Sequence, residues 1–413
     1  MGGQPVRLVV DDDLRRSRLT VFFRLLLAIP HLVWLLLWTI AAVVVGIVAW
    51  VAALVRGRLP DGLHAFLGSY VRYGVHVGSY LSLVANPFPG FTGGPGYPVD
   101  VSIPPPERQA RRTIAVRLLL AIPALVLAAV LGGGLAPGAT QGRGNGRWAA
   151  GSGIGGVTAV CGILGWFASL ARGRMPHGLR DLGAYGIGYG AQAWAYAFLL
   201  TDRYPSSDPE AVGPVWALPP HPVALRIEDD GRRSRLTTAF RLLLALPHLV
   251  WLTLWTVAAF LAALLNGIVA LVGGRSAEPL HRFLTAYIRY AAHVTAFLFL
   301  VANPFPGFAG TPGYPLDVEL APAARQSRWI TLFRTVLVLP ALLVSGALTG
   351  ALAVLGLLGW FASLATGRMP HGMRNLGAIA IRYLAQTNAY WLVVTDAYPY
   401  SGPALQPPAE AES

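Results

Sequence analysis

Arginine and histidine stand four residues apart at Arg72/His76 and again at Arg289/His293, each pair inside a largely apolar stretch. Arg382 with Gln386 repeats the pattern, while Gln192 follows Gly188 at the corresponding place. Residues four apart share a helix face. Arg72 lies 10 residues past Gly62, about 15 Å along a helix and near mid-depth if that helix crosses a bilayer. A guanidinium there is costly unless something satisfies it, and its planar fork suits a phosphate group. Arg72, His76, Arg289, His293, Arg382 and Gln386 are therefore the candidate binding residues, for an anion or a lipid phosphate. The plainer reading is that each arginine ties helices together through backbone carbonyls, or lies at the interface in water. No Asp or Glu falls inside any expected span, which argues against a carboxylate relay for protons or sodium.

Other chemistry has thin support. Walker, GxSxG, HExxH and CxxC patterns are absent, so no catalytic residues and no enzyme activity are expected. The Gly-rich Leu131–Gly134 follows no strand and reads as linker. His31/His248 or His76/His293 are weak candidates for haem, because half the repeats lack each histidine. Cys161 is the single cysteine, which excludes a disulfide framework and a thiolate metal site. No cofactor and no metal are expected.

The elements that carry these residues come from a repeat. Arg18–Trp38 (RLTVFFRLLLAIPHLVWLLLW) returns at Arg235–Trp255, with weaker copies at Thr113–Ala124 and Thr331–Ala341. Arg24, Arg117, Arg241 and Arg334 each stand six residues before a proline, Pro30, Pro123, Pro247 or Pro340. A self-match of this kind is one unit used four times. Repeats one and three differ by a constant offset of 217, as do their residues Arg72/Arg289 and His76/His293. The order implies duplication of one unit, divergence, then duplication of the pair.

Each repeat opens with a short alternating stretch: PVRLVV, PVDVSI, PVALRI and PLDVEL. Alternation with β-branched residues predicts a strand, and four lone strands would need to pair into a small sheet. An arginine-rich linker follows, then an amphipathic lead-in ending at the proline (Arg18–Ile29 in repeat one), then a first span, His31–Val55. A Gly/Pro turn (GRLPDG, GRMPHG, GGRSAEP, GRMPHG) leads to a second helix running to Asn86, Asp202, Asn303 or Asp396. The expected boundaries are 1–97, 98–213, 214–314 and 315–401, with a disordered tail over 402–413. Repeat two carries extra residues near 132–156, read as a flexible polar loop.

The chain has 413 residues, 54% hydrophobic and 12% charged, with mean hydropathy +0.54. Soluble domains carry roughly twice that charged fraction. Leu32–Val55 holds no charge, and about 20 apolar residues cross a bilayer. The expected class is an all-α polytopic membrane protein with about eight spans, twelve being the runner-up, and a small cytoplasmic strand layer. The first apolar run reads as an uncleaved membrane segment.

All 32 basic residues are arginine, and the net charge is +13. Beside apolar spans this points to anionic lipid rather than nucleic acid. Arg15, Arg16, Arg18, Arg111, Arg112, Arg232, Arg233 and Arg235 are the expected lipid-surface contacts. Seventeen arginines in the entering segments against nine in the turns would put strands, linkers and both termini in the cytoplasm.

FFRLLLAIPH, the GRxPxG turn and the TDRYP-like close together resemble the bacterial domain of unknown function 4389 family of membrane proteins, in four tandem copies. The resemblance implies an integral protein of a bacterial plasma membrane and confers no catalytic residues. Two functions fit: a non-enzymatic scaffold or accessory subunit contacting anionic lipid, or a transporter or lipid-handling protein with an Arg/His-lined site. The expected partners are membrane lipids and, for a scaffold, another membrane protein; nucleic acid is not expected.

Overall fold

The computed structural model describes residues 3–133 and 156–405 and is 63% helical. The loop expected near 132–156 lies, apart from its ends, outside the described residues. The chain divides into two compact units, Met1–Trp216 and Ala217–Ser413.

Unit one runs β1 (Arg7–Val10), α1 (Arg18–Phe22), α2 (Arg24–Arg56), α3 (Asp61–Leu81), β2 (Val99–Ser102), α4 (Arg111–Ala115), α5 (Arg117–Gly132), α6 (Val157–Arg172), α7 (His177–Ala197) and α8 (Pro209–Val212). Unit two runs β3 (Val223–Ile227), α9 (Arg235–Ala239), α10 (Arg241–Gly273), α11 (Glu278–Leu298), β4 (Leu316–Leu320), α12 (Arg328–Leu337), α13 (Leu339–Thr366) and α14 (His371–Trp391).

The repeated turns form as their residues dictate. Gly57, Gly173, Gly274 and Gly367 end the long helices with φ near +70°, the left-handed region that glycine enters without steric cost. The prolines act otherwise than expected. α2, α5 and α10 run through Pro30, Pro123 and Pro247, and the break falls earlier, at Phe23, Val116 and Phe240. Only in repeat four does the break come directly before the proline region, at Val338. The second helices also stop sooner, and each is followed by a non-glycine residue at positive φ: Leu83, Leu199, Leu300 and Val393.

The four strands do not form one sheet. β1 pairs antiparallel with β2 (Leu8 opposite Val101), and β3 with β4 (Leu225 opposite Val318), giving one two-stranded sheet in each unit. So small a sheet needs a support, and the second helices provide it on one face only. On α3, Arg72 and His76 meet Asp100 of β2, while Tyr70 and Tyr73 meet Thr39 and His31 of α2. On α11, Arg289 and His293 meet Asp317 of β4, while Tyr287 and Tyr290 meet Thr256 and His248 of α10. Each unit is thus layered: sheet, second helices, long helices.

Within a unit the two repeats exchange contacts reciprocally. In unit one, Arg16 N donates to Gly173 O (2.9 Å), Met175 N to Leu14 O (2.9 Å), and Gln109 N to Gly57 O (2.8 Å). The linker of each repeat therefore clasps the turn of the other. Unit two repeats this: Arg233 N to Gly367 O (2.8 Å), Met369 N to Gly231 O (2.8 Å) and Gln326 N to Gly274 O (2.9 Å).

Among the described residues, three helices are long and apolar enough to cross a membrane: α2, α10 and α13. Their outer faces carry exposed Leu25, Leu36, Ile47, Val55, Leu242, Phe260, Val272 and Phe361. Residues 402–404 of the expected tail are buried in unit two, and 406–413 lie outside the described residues.

Candidate functional site

The predicted Arg/His pairs meet an acid after all. Asp100 Oδ1 lies 3.1 Å from Arg72 Nε and 3.2 Å from His76 Nε2. The same oxygen accepts from the Val101 amide (2.7 Å), and Oδ2 accepts from Gly96 N at 3.3 Å. Tyr97 packs on the His76 ring, 4.7 Å between centroids. In unit two, Asp317 Oδ1 lies 3.3 Å from Arg289 Nε and 3.0 Å from His293 Nε2, with Gly313 N at 2.9 Å on Oδ2. Burial raises these carboxyl pKa values, but the histidine hydrogen bond, the backbone amides and the facing positive charge outweigh it. Both aspartates are held below the ordinary carboxylate range.

The acids were missed because they belong to no helix. They lie in the strands, which fold back onto the helix middle. A signal existed: Asp100 and Asp317 occupy the same place in PVDVSI and PLDVEL, separated by the same 217 as the two arginines.

The even repeats solve the same problem differently. Gln192 Nε2 donates to Val6 O (2.9 Å) and Gln386 Nε2 to Val223 O (3.0 Å), tying β1 to α7 and β3 to α14. Gly188, where a Cβ would meet Val212 at 2.7 Å and Leu8 at 3.2 Å, stands where unit two has Arg382. Arg382 reaches the carbonyls of Tyr400 and Gly402, and its Nε and Nη1 have no hydrogen-bond partner among the described residues. In unit one that service comes from the other layer: Arg7 of β1 donates to Gly213 O (2.8 Å) and Glu210 O (3.1 Å).

The four arginines that head the repeats are buried clamps. Arg24 Nη1 donates to Tyr80 O (2.6 Å) and Ala85 O (3.1 Å), and Nη2 to Asn86 Oδ1 (3.1 Å). Arg241 repeats this on Phe297 O (2.6 Å), Ala302 O (3.1 Å) and Asn303 Oδ1 (3.0 Å). Arg117 holds Thr201 O (3.1 Å) and Gln109, and Arg334 holds Tyr390 O, Thr395 O (2.9 Å) and Asp396. Each guanidinium also lies over an aromatic ring, Tyr80, Tyr196, Phe297 or Tyr390, at 4.1–4.8 Å. The carbonyls that a helix C-terminus leaves open are what these arginines close.

The linker arginines divide. Arg16 and Arg233, expected at the lipid surface, are buried. Arg16 bonds Asp12 (2.7 Å) and Leu83 O (2.8 Å), and Arg233 bonds Asp229 (2.7 Å) and Leu300 O (2.8 Å). Gln109 and Gln326 take the same position in the even repeats, on Leu199 O and Val393 O, both at 2.8 Å. Arg15, Arg18, Arg111, Arg112, Arg232 and Arg235 are exposed. Among these, Arg18, Arg111 and Arg235 also cap the long helix of the sister repeat, at Ala171 O (3.1 Å), Val55 O (2.8 Å) and Ala365 O (3.1 Å).

His31 and His248 each bond a tyrosine hydroxyl (Tyr73, 2.7 Å; Tyr290, 2.8 Å) and stack on Phe91 or Phe308 at 4.4 Å. They are 42 residues from their tyrosines and pin the long helix to the second one. Unit one also holds an apolar cavity of about 770 Å³ between α2, α3, α5, α6 and α7, lined in part by Gly74, Gly78, Gly162 and Gly190.

These features define a helical repeat protein with membrane-competent helices, in which arginines close helix ends and join strands to helices. The chain belongs to the family described as Domain of unknown function (DUF4389), whose model matches at residues 18–92, 148–207, 235–309 and 328–401. No curated protein and no solved structure matches the chain.

Proposed function

We propose that the protein is a non-enzymatic scaffold of a bacterial plasma membrane that contacts anionic lipid through its exposed linker arginines. The observation that carries this reading is the sorting of the arginines. Those inside, Arg16, Arg24, Arg72, Arg233, Arg241 and Arg289, are engaged by aspartates and carbonyls. Arg15, Arg112 and Arg232 stand exposed at the linkers beside apolar helices, where each basic group near an anionic surface contributes about 1 kcal/mol. Native mass spectrometry of protein released from nanodiscs of mixed phosphatidylglycerol and phosphatidylcholine tests it. Retained lipid should be enriched in phosphatidylglycerol, and Arg15→Gln/Arg112→Gln/Arg232→Gln should lose the enrichment. Equal retention of both lipids by the parent would overturn the reading.

Eight spans with both termini in the cytoplasm require α3, α7, α11 and α14 to cross, and these four are not among the helices apolar enough to do so. The arginine count behind that orientation compares groups that are neighbours: Arg15 bridges Arg174, and Arg58 bridges Arg108.

A second reading, a lipid-handling or transport protein, is favoured by the cavity in unit one and by the open donors of Arg382. Its site at Arg72, His76, Arg289 and His293 has less support, since Asp100 and Asp317 already balance those charges. Gln386 is engaged with the β3 backbone. Phospholipid that co-purifies with the parent and is displaced by bulk in the cavity (Gly74→Leu) would favour it.

A further inference from the structure

In a helix bundle that crosses a bilayer, polarity changes along the helix axes, with apolar middles and polar ends. Here it changes across them. α3 carries its long apolar partner α2 along one stripe and the β1–β2 sheet along another, and the sheet sits at the middle of the helix: Arg72 and His76 are interior residues of Asp61–Leu81. α11 is built the same way, with Asp317 opposite Arg289 and His293. If α3 and α11 crossed the membrane, two sheets with two open edges each would lie at mid-depth. Lipid-exposed strand edges do not occur in hydrocarbon.

The linkers lead to the same conclusion. Arg16 is bonded at Leu83, just past the C-terminal end of α3, while the Gln109 amide is bonded at Gly57, before its N-terminal end. The two linkers are therefore separated by the length of α3, 21 residues or about 31 Å. With α3 upright, equivalent arginine-rich segments would face opposite sides of the membrane, against the rule that such segments share one side. With α3 lying flat they share it.

Length is the third argument. α2 and α10 are each 33 residues, about 50 Å, and carry no charged residue between their end residues. Fitting them across a hydrocarbon core of about 30 Å needs a tilt near 50°, outside the observed range of about 0–40°. Lying flat, one helix layer is about 10 Å thick and fits a leaflet of about 15 Å. The exposed apolar residues of α2 run along its whole length, from Leu25 to Val55, as immersion of an entire helix requires.

We propose that each unit lies in the plane of a single leaflet, with the long helices among the acyl chains, the second helices at headgroup depth, and the sheet and linkers in water. This rests on the membrane reading above and gives that scaffold a geometry: each unit wedges one monolayer and leaves the other untouched.

The test uses the full chain in a Cys161→Ser background, with single cysteines at Val9 in the sheet, Ser17 at one end of α3 and Asp61 at the other. All three positions are exposed. An impermeant maleimide is applied to right-side-out and to inverted membrane vesicles. Labelling of all three from one side, with loss from the other, is expected. Ser17 and Asp61 labelling from opposite sides, with Val9 silent, overturns the proposal and leaves the membrane reading intact. Recovery of the protein in the soluble fraction overturns both. Polarised infrared spectroscopy of the unsubstituted protein in oriented bilayers gives an independent reading: the amide I dichroism should report mean helix axes near the membrane plane, and axes near the normal would sink the idea.

Discussion

At the residue scale, the repeated arginines act as hydrogen-bond forks rather than as free charges. Arg24 and Arg241 each close carbonyls left open at the end of a second helix, and hydrogen bonds to charged groups contribute about 1.5–3 kcal/mol each. Arg24→Ala should therefore lower stability by about 3 kcal/mol or more, read as a fall in the thermal midpoint in detergent. Arg24→Lys should not restore it, because an ammonium cannot serve Tyr80, Ala85 and Asn86 at once. The aspartates make a pH-dependent latch. Asp100 and Asp317 have folded pKa values below their unfolded ones, so their contribution is present above the unfolded value of 3.8 and disappears as pH falls through the folded value. The parent should lose thermal stability as pH drops from about 5 to about 3, and Asp100→Asn/Asp317→Asn should start lower at neutral pH and flatten that slope. An unchanged slope would show that these carboxylates are not the latch. The Arg/His pairing was legible because four residues make one helix face. Its acid was marked only by the shared offset of 217, since helical periodicity says nothing about a strand 24 residues further on.

At the element scale, the turns were legible and the prolines were not. The Gly/Pro turns were read as turns, and the first glycine of each GRxPxG motif takes the left-handed conformation. Adding a Cβ at Gly173 meets nothing closer than Arg16 O at 3.8 Å, so Gly173→Ala isolates the backbone cost, about 1–2 kcal/mol. Chemical denaturation in detergent should show that loss, whereas Gly190→Ala, with open space around its Cβ, should show none. Proline reads in a sequence as a helix end, yet Pro30, Pro123 and Pro247 sit inside helices. His31, the residue after Pro30, is fully buried against Tyr73 and Phe91, and the continued helix carries it there. The strands were found, but their partners were not, because pairing depends on which layer lies beneath them.

At the scale of the whole molecule, the repeat is a unit of sequence and the pair of repeats is a unit of structure. Every linker–turn clasp joins repeat one to repeat two, or repeat three to repeat four. Residues 1–216 expressed alone should resist proteolysis and melt cooperatively, while residues 1–97 alone, with both clasps open, should do neither. A stable single repeat would remove the argument for pairing. The four copies could be read from spacing. The exchange between sister repeats could not, since it rests on main-chain groups that any residue supplies. That exchange also sets a timetable at the ribosome. Leu14 is made 161 residues before Met175, and its carbonyl has no clasp until Met175 has emerged. At about 5–20 residues per second the nascent chain waits roughly 10–30 s with its apolar first helix already made and its linker unfastened. On the membrane reading proposed above, a chain made this way would be handed to the lipid while it is still being translated.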